Sequence, residues 1–196
     1  MAKKARVYDG TAWQELASAQ TDLTAYSTTA QMDAARVDTI LSSGTFTTAS
    51  AVNLSSVLSS SYNFYTLNVY AKGSSAGAFI NLRFRENTTD FTAANYATAS
   101  QYYQTGGGVA SYSSNGSNTV INLANIGTGA SSISKIDLTR ISATEGSLTF
   151  QSWDAHFNQG ITGAARNNAM SNFNGLSLYP SAGTFTGYYT LTGRKL

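Results

Sequence analysis

Beyond Thr45 the chain alternates between apolar and polar positions with the period of a β-strand. Tyr65, Leu67, Val69 and Ala71 alternate with Phe64, Thr66, Asn68 and Tyr70, which places every second residue on one face. Ala71-Lys-Gly-Ser-Ser-Ala-Gly77 reads as a turn. The next strand, Ala78 to Glu86, sends Ile80, Leu82 and Phe84 to one face, and Phe79, Asn81, Arg83 and Arg85 to the other. The pattern predicts further strands at 96–104, 119–124, 133–138, 148–153 and 164–170. Gly106-Gly-Gly108 and Asn115-Gly-Ser-Asn118 read as loops. Near the end, Leu176 and Leu178 alternate with polar residues as in a half-buried strand. Pro180 and Gly183 mark a turn, and Tyr188 to Leu191 forms the last strand. Short strands separated by turns at this spacing predict an all-β fold, an antiparallel sandwich or barrel, rather than a parallel α/β sheet.

The first part of the chain reads differently. Lys4 to Tyr8 and Thr11 to Leu16 flank Asp9-Gly10, a strong cue for a two-residue hairpin turn, because both turn positions need positive φ. Val7, Trp13 and Leu16 supply a small apolar cluster. An isolated hairpin is marginal in water, so this one needs a partner surface. Ala17 to Leu41 carries only a partial helical face, from Leu23, Tyr26, Ala30 and Ala34, and reads as a linker with one short helix. The expected division is an N-terminal hairpin and anchoring segment over 1–45 and a β-domain over 46–196.

Composition narrows the chemistry. The chain has no cysteine and one histidine, which excludes disulfides, thiolate zinc sites and thiol nucleophiles. Charged residues make up 11% of the chain, against about 25% in an average protein. A net charge of +2 gives no basic stripe of the kind that binds nucleic acid. Lys3, Lys4 and Arg6 at one end and Arg194 and Lys195 at the other read as solvated termini, with an electrostatic contact to an acidic partner surface as the alternative. No apolar run reaches the roughly 20 residues of a membrane span. The first residues lack the apolar stretch of a secretory signal. No membrane insertion is expected, and synthesis in a cytoplasm is.

No catalytic constellation stands out. Asp154 and His156 lie two apart on a predicted strand, but no Gly-x-Ser-x-Gly elbow completes a hydrolase triad. Glu86 and Asp90 are two carboxylates near one turn; such a pair could do glycosidase work, but carboxylates at the end of a strand usually face solvent, and with Asn87 their spacing matches no defined calcium loop. Gly106-Gly-Gly108 lacks the Lys and the following helix of a phosphate loop. Tyr102, Tyr103 and Tyr112 flank that loop; they are candidates for glycan or interface contact, and equally for packing. Arg83 and Arg85 share a strand face that would not bury them unpaired. They are expected to meet solvent, an acid such as Asp137, or a subunit interface.

Three segments carry a resemblance. Tyr65-Thr-Leu-Asn-Val-Tyr70 is followed by Ile80-Asn-Leu-Arg-Phe-Arg-Glu-Asn-Thr-Thr-Asp90, Tyr96, and finally Gly175-Leu-Ser-Leu-Tyr-Pro-Ser-Ala-Gly-Thr-Phe185. In order and spacing they resemble a module of tailed-bacteriophage virion proteins over residues 60–196, with Arg83, Asn87, Asp90, Tyr179, Pro180, Gly183, Phe185 and Gly187 matching. Lys4-Ala-Arg-Val-Tyr-Asp-Gly-Thr-Ala-Trp13 is similar to N-terminal docking segments of phage structural proteins. The resemblance implies a jelly-roll β-sandwich, commonly a homotrimer, exposed on a virion that assembles in the host cytoplasm. It implies a structural protein; no enzymatic activity and no cofactor are expected, and no metal-ligating residues are singled out. A capsid decoration or head knob is favoured, because no fibre shaft is present. The alternative is a tail-fibre or baseplate component that binds a host glycan. Val7, Tyr8, Trp13 and Leu16 would contact other virion proteins.

Overall fold

The computed structural model describes residues 6–8, 11, 13–15, 38–104, 108–128, 131–140, 146–155, 159–167 and 172–195. The chain divides into two units, Met1–Val37 and Asp38–Leu196. In the first, β1 (Arg6–Tyr8) and β2 (Trp13–Glu15) form an antiparallel hairpin. Tyr8 pairs with Trp13, so four residues, 9–12, separate the strands. A two-residue Asp9-Gly10 turn would have paired Tyr8 with Thr11. A slip of two residues leaves the alternation of faces unchanged, so the apolar pattern alone does not distinguish the registers. Leu16 and residues 17–37 of the expected linker and helix, 17–41, lie outside the described residues, and residues 39–41 open a strand, Thr39–Ala49, instead.

The second unit is an antiparallel β-sandwich. Its smaller sheet runs β10 (Ile121–Ile126), β6 (Ala78–Glu86), β14 (Gly175–Pro180), β4 (Val52–Leu54), with the short β7 (Thr89–Asp90) beside β6. Its larger sheet has eight strands. In spatial order they are β3 (Thr39–Ala49), β15 (Phe185–Arg194), β5 (Phe64–Gly73), β11 (Ser131–Arg140), β12 (Gly146–Asp154), β13 (Gln159–Asn167), β8 (Tyr96–Gln104) and β9 (Val109–Asn118). β3 pairs with β15 from Thr39 onward, so this unit begins at Asp38, ahead of the 45/46 boundary expected from the sequence.

Alternation builds the core. Tyr65, Leu67, Val69 and Ala71 of β5 are buried, as are Ile136 and Leu138 of β11 and Leu148 and Phe150 of β12. They meet Ile80, Leu82 and Phe84 of β6 and Leu176 and Leu178 of β14 in one cluster. Phe84 lies between the Tyr96 ring (centroids 6.0 Å apart) and the Phe173 ring (5.0 Å). The buried Tyr96 hydroxyl accepts from the Phe84 amide and donates to the Phe91 carbonyl, both at 3.0 Å. Burial pushes its pKa up, so the phenol stays neutral.

The outer face of β6 departs from expectation. Arg83 and Arg85 lie along the small sheet and do not reach Asp137, which stands on the large sheet. Arg85 is buried and donates through Nη1 to Asp90 Oδ1 (2.6 Å) and Asn53 Oδ1 (2.5 Å), and through Nη2 to the Thr88 carbonyl. Asn53 Oδ1 also accepts from Ser177 Oγ at 3.0 Å. Arg83 donates Nε to the Thr119 carbonyl at 3.0 Å, its guanidinium 4.8 Å from the centre of the Tyr179 ring. This polar cover explains why β14, expected half-buried, is covered on both faces; Ser177 is fully buried. β14 and β15 belong to different sheets, so the Pro180–Gly183 turn crosses between the layers. It is held there by Ser181 N–H to the Phe79 carbonyl and Thr184 N–H to Ser74 Oγ, both at 2.9 Å.

Candidate functional site

The outer face of the large sheet carries the side chains that the core does not use. On each strand they are the residues between the buried ones. Cross-strand register then decides which of them stand side by side. Tyr188 pairs with Tyr70, Tyr70 with Ile133, Ile133 with Trp153, Trp153 with Gly160, Gly160 with Tyr103, and Tyr103 with Val109. One row therefore crosses seven strands, a span of roughly 30 Å at about 4.8 Å per strand. Tyr188, Ile133, Trp153, Tyr103 and Val109 are each 44% to 61% exposed.

Tyr188 and Tyr70 stack with centroids 5.2 Å apart. Gly160 separates Trp153 from Tyr103 and has no side chain to lift the indole. A Cβ built there would lie 3.5 Å from Trp153 Cε3 and 4.0 Å from Tyr103 Cβ. The Tyr103 hydroxyl donates to Gln101 Oε1 at 2.6 Å, which fixes the phenol against the neighbouring row.

That neighbouring row is polar. Thr190, Asn68, Lys135, Gln151, Thr162, Gln101 and Ser111 follow one another through the same seven strands. Beside it, small residues leave two adjoining hollows over β12, β13 and β8, of about 740 and 730 Å³. Ala99, Ala164, Thr149 and Asp137 line both. Arg166 lines the hollow farther from Trp153.

Charges on this face are largely paired. Lys135 Nζ sits 2.9 Å from Asp137 Oδ2, and Thr66 Oγ1 donates to Asp137 Oδ1 at 2.7 Å. Burial pushes the Asp137 carboxyl up, but the Lys135 and Thr66 hydrogen bonds, with the Lys135 and Arg194 charges, outweigh it and hold the pKa below the ordinary value. Arg194 pairs with Asp38 at 2.7 Å, and that hydrogen bond lowers the Asp38 pKa.

The residues singled out from sequence are dispersed. Tyr103 is in the aromatic row. Tyr102, next to it, packs against the core. Tyr112 pairs with Ser100 in the backbone register, and its side chain lies outside the described residues. Asp154 is buried in the interior, and His156 lies outside the described residues. Asp90 is committed to Arg85. Asn87 holds its turn through a reciprocal amide pair with Asn174: the Asn87 N–H donates to Asn174 Oδ1, and Asn174 Nδ2 to Asn87 Oδ1, both at 2.8 Å. The matched residues Asn87 and Asp90, and Tyr96 with them, thus support the fold. Gly108 leads into β9, a strand, so no helix follows the glycines. No group of three or more His, Asp or Glu that could hold a metal occurs among the described residues.

Trp153, Ile133, Tyr188, Gln101, Gln151 and Arg166 were not among the residues singled out. Two of them leave a trace in sequence. Ile133 is out of phase with Ile136 and Leu138, and Trp153 with Leu148 and Phe150. An apolar residue on the wrong parity of a strand points away from the core.

No protein-family model and no curated protein matches the chain. Among solved structures, it is similar to a PL-14 alginate lyase from the marine animal Aplysia kurodai. That likeness has 12% identity and a TM-score of 0.34, over 70% of this chain and 71% of the other. It is also similar to a protein of unknown function from Shewanella oneidensis MR-1, at 9% identity and a TM-score of 0.20, over 78% and 69%. At these TM-scores neither likeness bears on what this chain does.

Proposed function

We propose that this chain is a non-enzymatic appendage module of a tailed-bacteriophage particle, and that the outer face of its large sheet binds a host-surface glycan. The observation that carries the binding role is the row from Tyr188 to Val109. Contiguous exposed apolar surface on a folded protein marks an interaction site. Flat aromatic faces stack on sugar rings, and the adjoining row of Asn68, Gln151, Thr162 and Gln101 supplies the donors and acceptors that sugar hydroxyls need. The phage location rests on the sequence resemblance alone. A receptor-binding appendage uses this row as its ligand surface. The N-terminal segment, with the β1–β2 hairpin, attaches the module to the particle.

The full chain is expected to bind at least one glycan saturably on an array of bacterial surface saccharides. Silence across the array would contradict the binding role. A chain beginning at Asp38 should retain that binding and fail to incorporate into particles; incorporation at the normal level would contradict the attachment role.

A further inference from the structure

The two hollows form one trough that runs along the strands, at right angles to the aromatic row. Along β13 the outward positions are Gly160, Thr162, Ala164 and Arg166; along β12 they are Trp153, Gln151, Thr149 and Ser147. The trough begins at Gln151, Thr162 and Gln101, one row in from Trp153, Gly160 and Tyr103. It crosses a floor of Ala164 and Ala99 and ends at Arg166, which stands roughly 20 Å from the aromatic row at about 3.4 Å per residue. Alanines keep the floor low, and the longer Gln101 and Gln151 side chains stand at its head.

Charge distinguishes the two ends. The stacking end carries no formal charge among Trp153, Gly160 and Tyr103. Midway, Asp137 is offset by Lys135 at 2.9 Å. At the far end Arg166 is exposed, and among the described residues no ion pair is formed with it. Its strand neighbours in register, Ser147 and Ala97, are neutral. The cations of the trough, Lys135 and Arg166, outnumber its acid, Asp137. A guanidinium recognises a carboxylate or sulfate with two parallel hydrogen bonds.

On the reading that this face binds glycan, we propose that the trough takes an acidic oligosaccharide lengthwise. One sugar ring stacks between Trp153 and Tyr103, and a carboxylate- or sulfate-bearing sugar is held at Arg166. The test uses the full chain on an array that carries each acidic saccharide beside its neutral counterpart, carboxyl-reduced or desulfated. Acidic members should bind about tenfold more tightly than their neutral partners at low salt, and the gap should narrow as salt rises. Arg166→Gln should erase the gap, because the acidic member loses more affinity than the neutral one; Arg166→Lys should restore part of it. Equal binding of acidic and neutral members, or an unaltered gap in Arg166→Gln, overturns the acidic-sugar proposal and leaves the glycan-binding role standing. Absence of binding to every member overturns both.

Discussion

Gly187→Ala should lower the melting temperature by about 10 °C, the largest effect expected of any single added methyl group on this sandwich. Gly187 lies on β15 opposite Ala71 of β5. A Cβ there would fall on the Tyr70 carbonyl oxygen and within 2.9 Å of Phe46 Cζ. The Phe46 ring is not free to retreat, because it packs on Phe185 with centroids 4.5 Å apart. The carbonyl is backbone of the central strand that joins β15 to β11. Relief therefore requires the strands to separate, and overpacking of this kind costs about 3 kcal/mol. In a domain of this size that corresponds to roughly 6–12 °C. Gly160→Ala is the control: its Cβ meets only ordinary contacts, 3.5 Å or more from Trp153. It should leave the melting temperature within about 2 °C. Differential scanning calorimetry of the two variants decides. A Gly187→Ala protein as stable as wild type would mean that β15 does not approach β5 as described.

Trp153→Ala should weaken glycan binding about sixtyfold while changing the melting temperature by no more than about 2 °C. The indole is half-exposed, so it contributes little to the core and still has a face to lose to a ligand. Covering on the order of 100 Å² of ring at about 25 cal/mol per Å² gives about 2.5 kcal/mol, which is the stated factor. Calorimetric titration of both proteins with the tightest array ligand measures it. Equal affinities would remove Trp153 from the site.

The strands were legible where two conditions held together, alternation and a marked turn. Ala78–Glu86 and Tyr96–Gln104 have the limits that the sequence predicted; in the first, buried apolar residues fall on one parity, and in the second the buried parity is Tyr96, Thr98 and Ser100. Asn115-Gly-Ser-Asn118 reads as a loop from its poor strand propensity, but it lies within β9 (Val109–Asn118); the pairing with β8 is irregular there, with Ser114 opposite Thr98 and Asn118 opposite Tyr96. β13 lies earlier than the predicted 164–170, since Gly160, Gly163, Ala164 and Ala165 give almost no amplitude to the alternation.

The candidate site was far less legible, for a topological reason. Its row joins β15 to β5 and β5 to β11, strands distant in sequence. Alternation reports the face on which a residue lies, but not its neighbour across the sheet. The phase breaks at Ile133 and Trp153 marked two outward apolar residues; only register aligned them with Tyr188, Tyr70 and Tyr103. Conversely, tyrosines that looked equivalent in sequence separated by parity. Tyr102 turns inward and Tyr103 outward because adjacent strand residues face opposite ways.

The central claim is that the outer face of the large sheet is the binding surface, and Trp153 can report on it directly. The chain has two tryptophans, so Trp13→Phe leaves Trp153 as the single indole. That variant should be titrated with the tightest array ligand while its emission is followed. The account predicts a saturable blue shift, as the half-exposed indole loses water to a sugar ring, with the same midpoint as calorimetry. Binding seen by calorimetry without any change in Trp153 emission would place the ligand elsewhere and contradict the account.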